Sequence, residues 1–137
     1  MADIDYAFLA DFAKIDAASG TLTSVGASWT FLGSPEFPGS HRMSVAGRVR
    51  SSMDEGPVTL RITISAPFDA YSITADANLD PGLNPRPYGD DRRIGLLFAL
   101  DIQVPLPTAG VYQVVVALPD SGKDRVLKFE AETIAEG

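Results

Sequence analysis

The chain has no cysteine, which removes disulfide cross-links, thiolate metal sites and cysteine nucleophiles, and suits a reducing compartment. It has no apolar run near the roughly 18 residues a membrane helix needs, so no bilayer-spanning segment is expected. Basic residues are scarce: 11 Lys and Arg against 18 Asp and Glu leave a formal net charge of −7. That balance repels a phosphate backbone and argues against nucleic acid as a partner. The opening Met1 to Asp5 carries acid where a secretory leader carries Lys or Arg, so export is not expected and a soluble cytoplasmic protein is. Histidine occurs once, at His41, beside no recognisable nucleophile motif. Gly-x-Ser-x-Gly, a phosphate-binding glycine loop and His-Glu-x-x-His are all missing. The reading is a protein without cofactor or enzymatic activity. An enzyme of unrecognised class stands as an alternative, because an active site need not leave a linear motif.

What is present is alternation. At 137 residues the chain fits one domain, residues 1–137, with enough apolar content to bury a core. The run Ile4, Tyr6, Phe8, Ala10 and Phe12 has a period of two, and after a turn at Asp16 to Gly20 it is followed by Val25, Ala27, Trp29 and Phe31. These predict a hairpin whose second strand spans Thr21 to Leu32, with a bulge near Thr23 or Ser24 if Leu22 and Val25 are both buried. Gly33 to Ser40 reads as a loop crossing between sheets. Met43, Val45, Gly47 and Val49 then alternate with Arg42, Arg48 and Arg50, and Val58, Leu60, Ile62 and Ile64 alternate with Thr59, Arg61 and Thr63. With Asp54 to Gly56 as the turn, these two strands are expected to pair, setting Arg61 opposite or diagonal to an arginine.

After a break at Pro67 and Asp69, Tyr71 to Ala77 alternates weakly and Asn78 to Asp91 reads as a long irregular loop. The strongest alternation is Ile94 to Val104, ended by Pro105 and Pro107, with partners at Tyr112 to Leu118 and Leu127 to Ala131 and a fraying acidic tail. Short strands separated by Gly, Pro, Asn and Asp turns predict an all-β fold, a two-sheet antiparallel β-sandwich of about eight strands. Trp29 and Phe98 are expected at its centre, and immunoglobulin-like and jelly-roll topologies remain open.

Two stretches resemble a known family. Tyr6-Ala-Phe-Leu-Ala-Asp-Phe-Ala13 with Asp16, Gly20-Thr-Leu22 and Gly26, and Leu100-Asp-Ile-Gln-Val-Pro-Leu-Pro107 with Gly110-Val-Tyr112, are similar to an uncharacterised bacterial family of small all-β proteins, a domain of unknown function. The resemblance implies bacterial origin and a sandwich fold, and brings no activity or site residue.

The candidate contact surface is the arginine stripe of Arg42, Arg48, Arg50 and Arg61, whose planar guanidiniums bond carboxylates or phosphates in pairs. Its plainer reading is solvated charge that guards a sheet face or edge. Arg86, Tyr88 and Arg92 add an aromatic and cationic surface on the long loop. Asp76, Asp80, Asp90 and Asp91 bracket that loop as weak calcium candidates, although they lack the order of a calcium-binding loop. Tyr112, two residues after a turn glycine, is expected to bond backbone at a sandwich corner. Together these predict a protein-binding or self-associating module, with calcium or small-anion binding as the alternative.

Overall fold

The computed structural model describes residues 1–134 as two packed sheets. The strands are β1 (Asp3–Asp16), β2 (Thr21–Ala27), β3 (Phe31–Ser34), β4 (Gly39–Ser51), β5 (Val58–Ser65), β6 (Ser72–Leu79), β7 (Ile94–Leu106), β8 (Gly110–Leu118) and β9 (Lys123–Thr133), with a short 3-10 turn at Pro67–Asp69. One sheet runs β2-β1-β4-β7 and the other β3-β9-β8-β5-β6. All pairs are antiparallel except β3 with β9. The fold is an all-β sandwich, as the alternation predicts.

Period two does the work because one face of each sheet must hide. Met43, Val45 and Val49 of β4, Leu60, Ile62 and Ile64 of β5, Ile94, Leu96 and Phe98 of β7, and Tyr112, Val114 and Val116 of β8 all lie in the core between the layers. Burying a large apolar side chain contributes roughly 1.5–3 kcal/mol, so these inward rows hold the layers together against chain entropy. Phe98 sits opposite Gly47 on the neighbouring strand, where the missing side chain leaves room for its ring. Tyr112 is fully buried and donates its hydroxyl to the Thr108 carbonyl at 2.7 Å, closing the corner before β8.

Four expectations are corrected. β4 and β5 do not form a hairpin: β4 lies between β1 and β7, β5 lies between β6 and β8, and the turn through Gly56, in the left-handed region, carries the chain from one sheet to the other. Both strands have apolar inward rows, and placing them in facing layers buries both rows in the shared core. The run 21–32 is not one strand. Ser28 adopts a left-handed conformation, so the chain leaves β2 in one sheet and enters β3 in the other, which raises the strand count to nine among the described residues. The bulge at Thr23 or Ser24 is missing because its premise fails: Val25 is 58% exposed, and the β1–β2 register is continuous from Phe12 and Val25 to Asp16 and Thr21. A register shift occurs instead on β1, between Ile4 and Tyr6. Trp29, finally, is half-buried against the rim of the core, edge-on to Phe129 at 5.4 Å.

The crossing expected in Gly33 to Ser40 does occur between β3 and β4, within a shorter loop than predicted. Pro105 lies inside β7, tolerated because β7 is an edge strand. β9 runs to Thr133, and the end of the expected tail, 135–137, lies outside the described residues. Among the described residues no helix is long and apolar enough to cross a membrane.

Candidate functional site

On β4, Arg42, Ser44, Arg48 and Arg50 point away from the facing sheet. Across the neighbouring strands Arg48 stands between Tyr6 of β1 and Leu97 of β7, and Arg50 between Asp3 and Gly95. The irregularity in β1 makes Asp5 an extra residue, free to turn its carboxylate onto Arg48, whose Nε donates to Asp5 Oδ2 at 2.8 Å. That bond raises the Arg48 guanidinium above its usual range, against the lowering effect of burial. Arg50 Nη2 donates to both oxygens of Asp91 at 2.7 and 2.9 Å.

The long loop reaches the same place. Tyr88 and Arg93 close a tight turn, the Tyr88 N–H donating to the Arg93 carbonyl at 2.9 Å, with Gly89 and Arg92 both left-handed. This sets the Tyr88 ring over two guanidiniums, 5.7 Å from Arg48 and 5.3 Å from Arg50. Tyr6 faces Arg48 from 5.1 Å and stacks on Phe8 at 6.2 Å. Gly95 leaves room for the stem of Arg48, since a side chain there would begin 3.1 Å from Arg48 Cδ. The result is an alternating row of Tyr6, Arg48, Tyr88 and Arg50, with Arg48 held between two aromatic rings and Arg50 against one, each with a carboxylate partner, an arrangement favoured by the ring quadrupole.

The structure thus brings together two features the sequence presents separately, the β4 arginines and Tyr88. It separates others. Arg61 lies on the opposite sheet, where it pairs with Asp76 at 2.8 Å. Arg42 stands six residues from Arg48, about 20 Å along the strand, and meets Asp101 at 3.5 Å. Ser44, donating to Asp101 at 2.6 Å, is the main cause that lowers the Asp101 carboxyl below its usual range. Arg86 and Arg92 are exposed and form no ion pair among the described residues. Arg93 escaped the sequence reading. It donates to the carbonyls of Met1 and Arg50 and anchors the loop beneath Tyr88, a role no local motif signals.

The calcium candidates are not assembled into a site. Asp76 and Asp91 are engaged by arginines, Asp80 accepts the Gly82 N–H at 2.8 Å as an ordinary turn, and Asp90 is exposed. Among the described residues no group of three or more His, Cys, Asp or Glu side chains is placed to hold a metal ion. His41 lies within β4, edge-on to Trp29 at 6.0 Å.

Compared with known protein families, residues 5–127 match the model of a family of unknown function, DUF6941, and the chain belongs to that family. No curated protein matches it.

Proposed function

We propose that this DUF6941 chain is a non-enzymatic binding or assembly module that recognises a protein partner through the Tyr6, Arg48, Tyr88 and Arg50 row. The observation that carries the reading is Tyr88, 37% exposed and laid over both arginines. Tyrosine and arginine dominate the energetics of protein interfaces because each offers a large flat surface with a polar edge. Here both are held before any partner arrives, which lowers the ordering cost of binding. The guanidiniums are already neutralised by Asp5 and Asp91, so a polyanion such as nucleic acid would have to displace carboxylates from within the chain. That favours a mixed polar and aromatic protein surface as the partner. The sequence resemblance and the cysteine-free composition support a bacterial, cytoplasmic setting.

The test is quantitative affinity capture from the native host with wild type, Tyr88→Ala, Arg48→Glu and Arg61→Glu, all confirmed folded by thermal melting. A stoichiometric partner should be recovered with wild type and Arg61→Glu and lost with the other two. Equal recovery with Tyr88→Ala rejects this surface.

A further inference from the structure

The ladder between β1 and β4 runs from Asp3 and Arg50 to Ala10 and Ser44, and beyond Ala10 the strand pairs with β2 alone. Continued straight, it would set Ala13 opposite His41. Instead the Ala13 N–H donates to Ser44 Oγ at 3.1 Å, on the side of β4 that points away from the core. The β1–β2 hairpin therefore bends over the outer face of its own sheet. Ser44, which also donates to Asp101, is fully buried beneath it, although the facing sheet lies on the other side.

The bend has a defined place. Asp11 and Gly26 lie opposite one another between the Ala10–Ala27 and Phe12–Val25 pairs, Gly26 is left-handed, and a side chain there would collide with the Asp11 carboxylate. Two residues on, left-handed Ser28 leaves the hairpin. Past this point the hairpin is held loosely. Its outer pair, Phe12 and Val25, faces solvent, and a two-stranded ribbon is marginally stable by itself. Ala13 at the base is buried, but Ile15 is 39% exposed. Under the tip lies a groove of about 380 Å³, lined by Ile15, Ala17 and Gly20 of the hairpin together with Gly95 and Leu97 of β7.

We propose that the hairpin beyond Ala10 is a lid, hinged at Asp11, Gly26 and Ser28 and latched by the hydrogen bond from Ala13 to Ser44, and that it opens without unfolding the sandwich. Opening breaks that bond and uncovers a small apolar contact, while the inward rows of both sheets stay packed. The lid borders the tyrosine and arginine row. Leu97 stands opposite Arg48, and Gly95 gives room to the Arg48 stem and the Tyr88 ring. An open lid extends the row by Ser44 and Leu97, and a closed one limits how far a partner reaches along the sheet. That consequence rests on the row being the partner surface; the hinge does not.

Thiol modification and amide exchange test the hinge with no partner present, so a row that binds nothing leaves their result intact. The chain has no cysteine, and adjacent Ser44 and Val45 are both fully buried, one under the lid and the other between the sheets. Ser44→Cys should react with iodoacetamide at least about 100-fold faster than Val45→Cys, each rate taken relative to the same variant unfolded in urea. In wild type the Ala13 amide should exchange at a rate nearly independent of low urea concentrations. Val114, in a strand paired on both sides, should exchange only through urea-sensitive global unfolding. Equal thiol rates, or Ala13 exchange that follows Val114 in urea, overturns the proposal, and the wild-type measurement decides if either variant fails to fold.

Discussion

Arg61 and Asp76 stand opposite one another on β5 and β6 and meet at two points, Nε to Oδ1 at 2.8 Å and Nη2 to Oδ2 at 3.1 Å. The bond from Arg61 holds the Asp76 carboxyl below its usual range, and the same bond raises the guanidinium. A carboxyl depressed in the folded state contributes stability that is present above its unfolded pKa, about 3.9, and is lost as pH falls through the lower folded value. Both side chains are exposed, so the contribution is small and screened by salt. A chemical-shift titration reads it better than a melt. Asp76 should titrate below ordinary aspartates in wild type and move upward in Arg61→Ala, and an unmoved Asp76 would contradict the pairing.

That pair also marks the limit of what the sequence discloses. Alternation states which side chains share a face, so the inward rows around Val45, Ile62, Phe98 and Val114 were legible, and the sandwich with them. It does not state which strands are neighbours. A tight turn at Asp54 to Gly56 reads equally as a hairpin and as a crossing, and the choice is made by burial of both apolar rows across the layers. Arg61 therefore moved from the β4 arginines to Asp76. The run from Val25 to Phe31 misled twice over: Val25 and Phe31 are both exposed while Leu32, on the other parity, is buried, and left-handed Ser28 passes the chain between sheets midway. The meeting of Tyr88 with Arg48 and Arg50 depends on a turn forty residues along the chain, with no local pattern to announce it.

Gly47 should be intolerant of any side chain. A Cβ there would lie 2.1 Å from the Tyr6 carbonyl oxygen, 2.9 Å from Ala7 Cα and 2.8 Å from Phe98 Cζ. Two of these are backbone atoms of β1, so relief requires moving the strand that positions Tyr6 and Asp5. Overfilling a packed core costs about 1–3 kcal/mol, and contact with backbone places Gly47→Ala at the upper end. Denaturant unfolding should show a lower midpoint of that size. By contrast Gly20, at the β1–β2 turn, has no atom within 4 Å of an added Cβ, so Gly20→Ala meets only the strain of its left-handed backbone. Equal midpoints for Gly47→Ala and wild type would refute this packing.

Tyr71 donates its hydroxyl to the Pro105 carbonyl at 2.5 Å, tying the segment before β6 to edge strand β7 of the facing sheet. Burial pushes its phenol up to about 12, with neighbouring Tyr112 adding to the shift. A folded protein that keeps this proton longer than the unfolded chain, where tyrosine titrates near 10, gains stability that is fully present below about pH 10 and is lost as pH rises through about 12. The phenolate cannot donate to Pro105, so the tie between the sheets goes with the proton. Tyr112, also raised by burial, acts in the same direction, so two tyrosines share the alkaline slope. Tyr71→Phe should cost about 1 kcal/mol at neutral pH through the lost hydrogen bond and should flatten part of the decline in stability between about pH 10 and 12. Urea unfolding midpoints across that window measure both effects, and curves for Tyr71→Phe that run parallel to wild type would transfer the whole slope to Tyr112 and other groups.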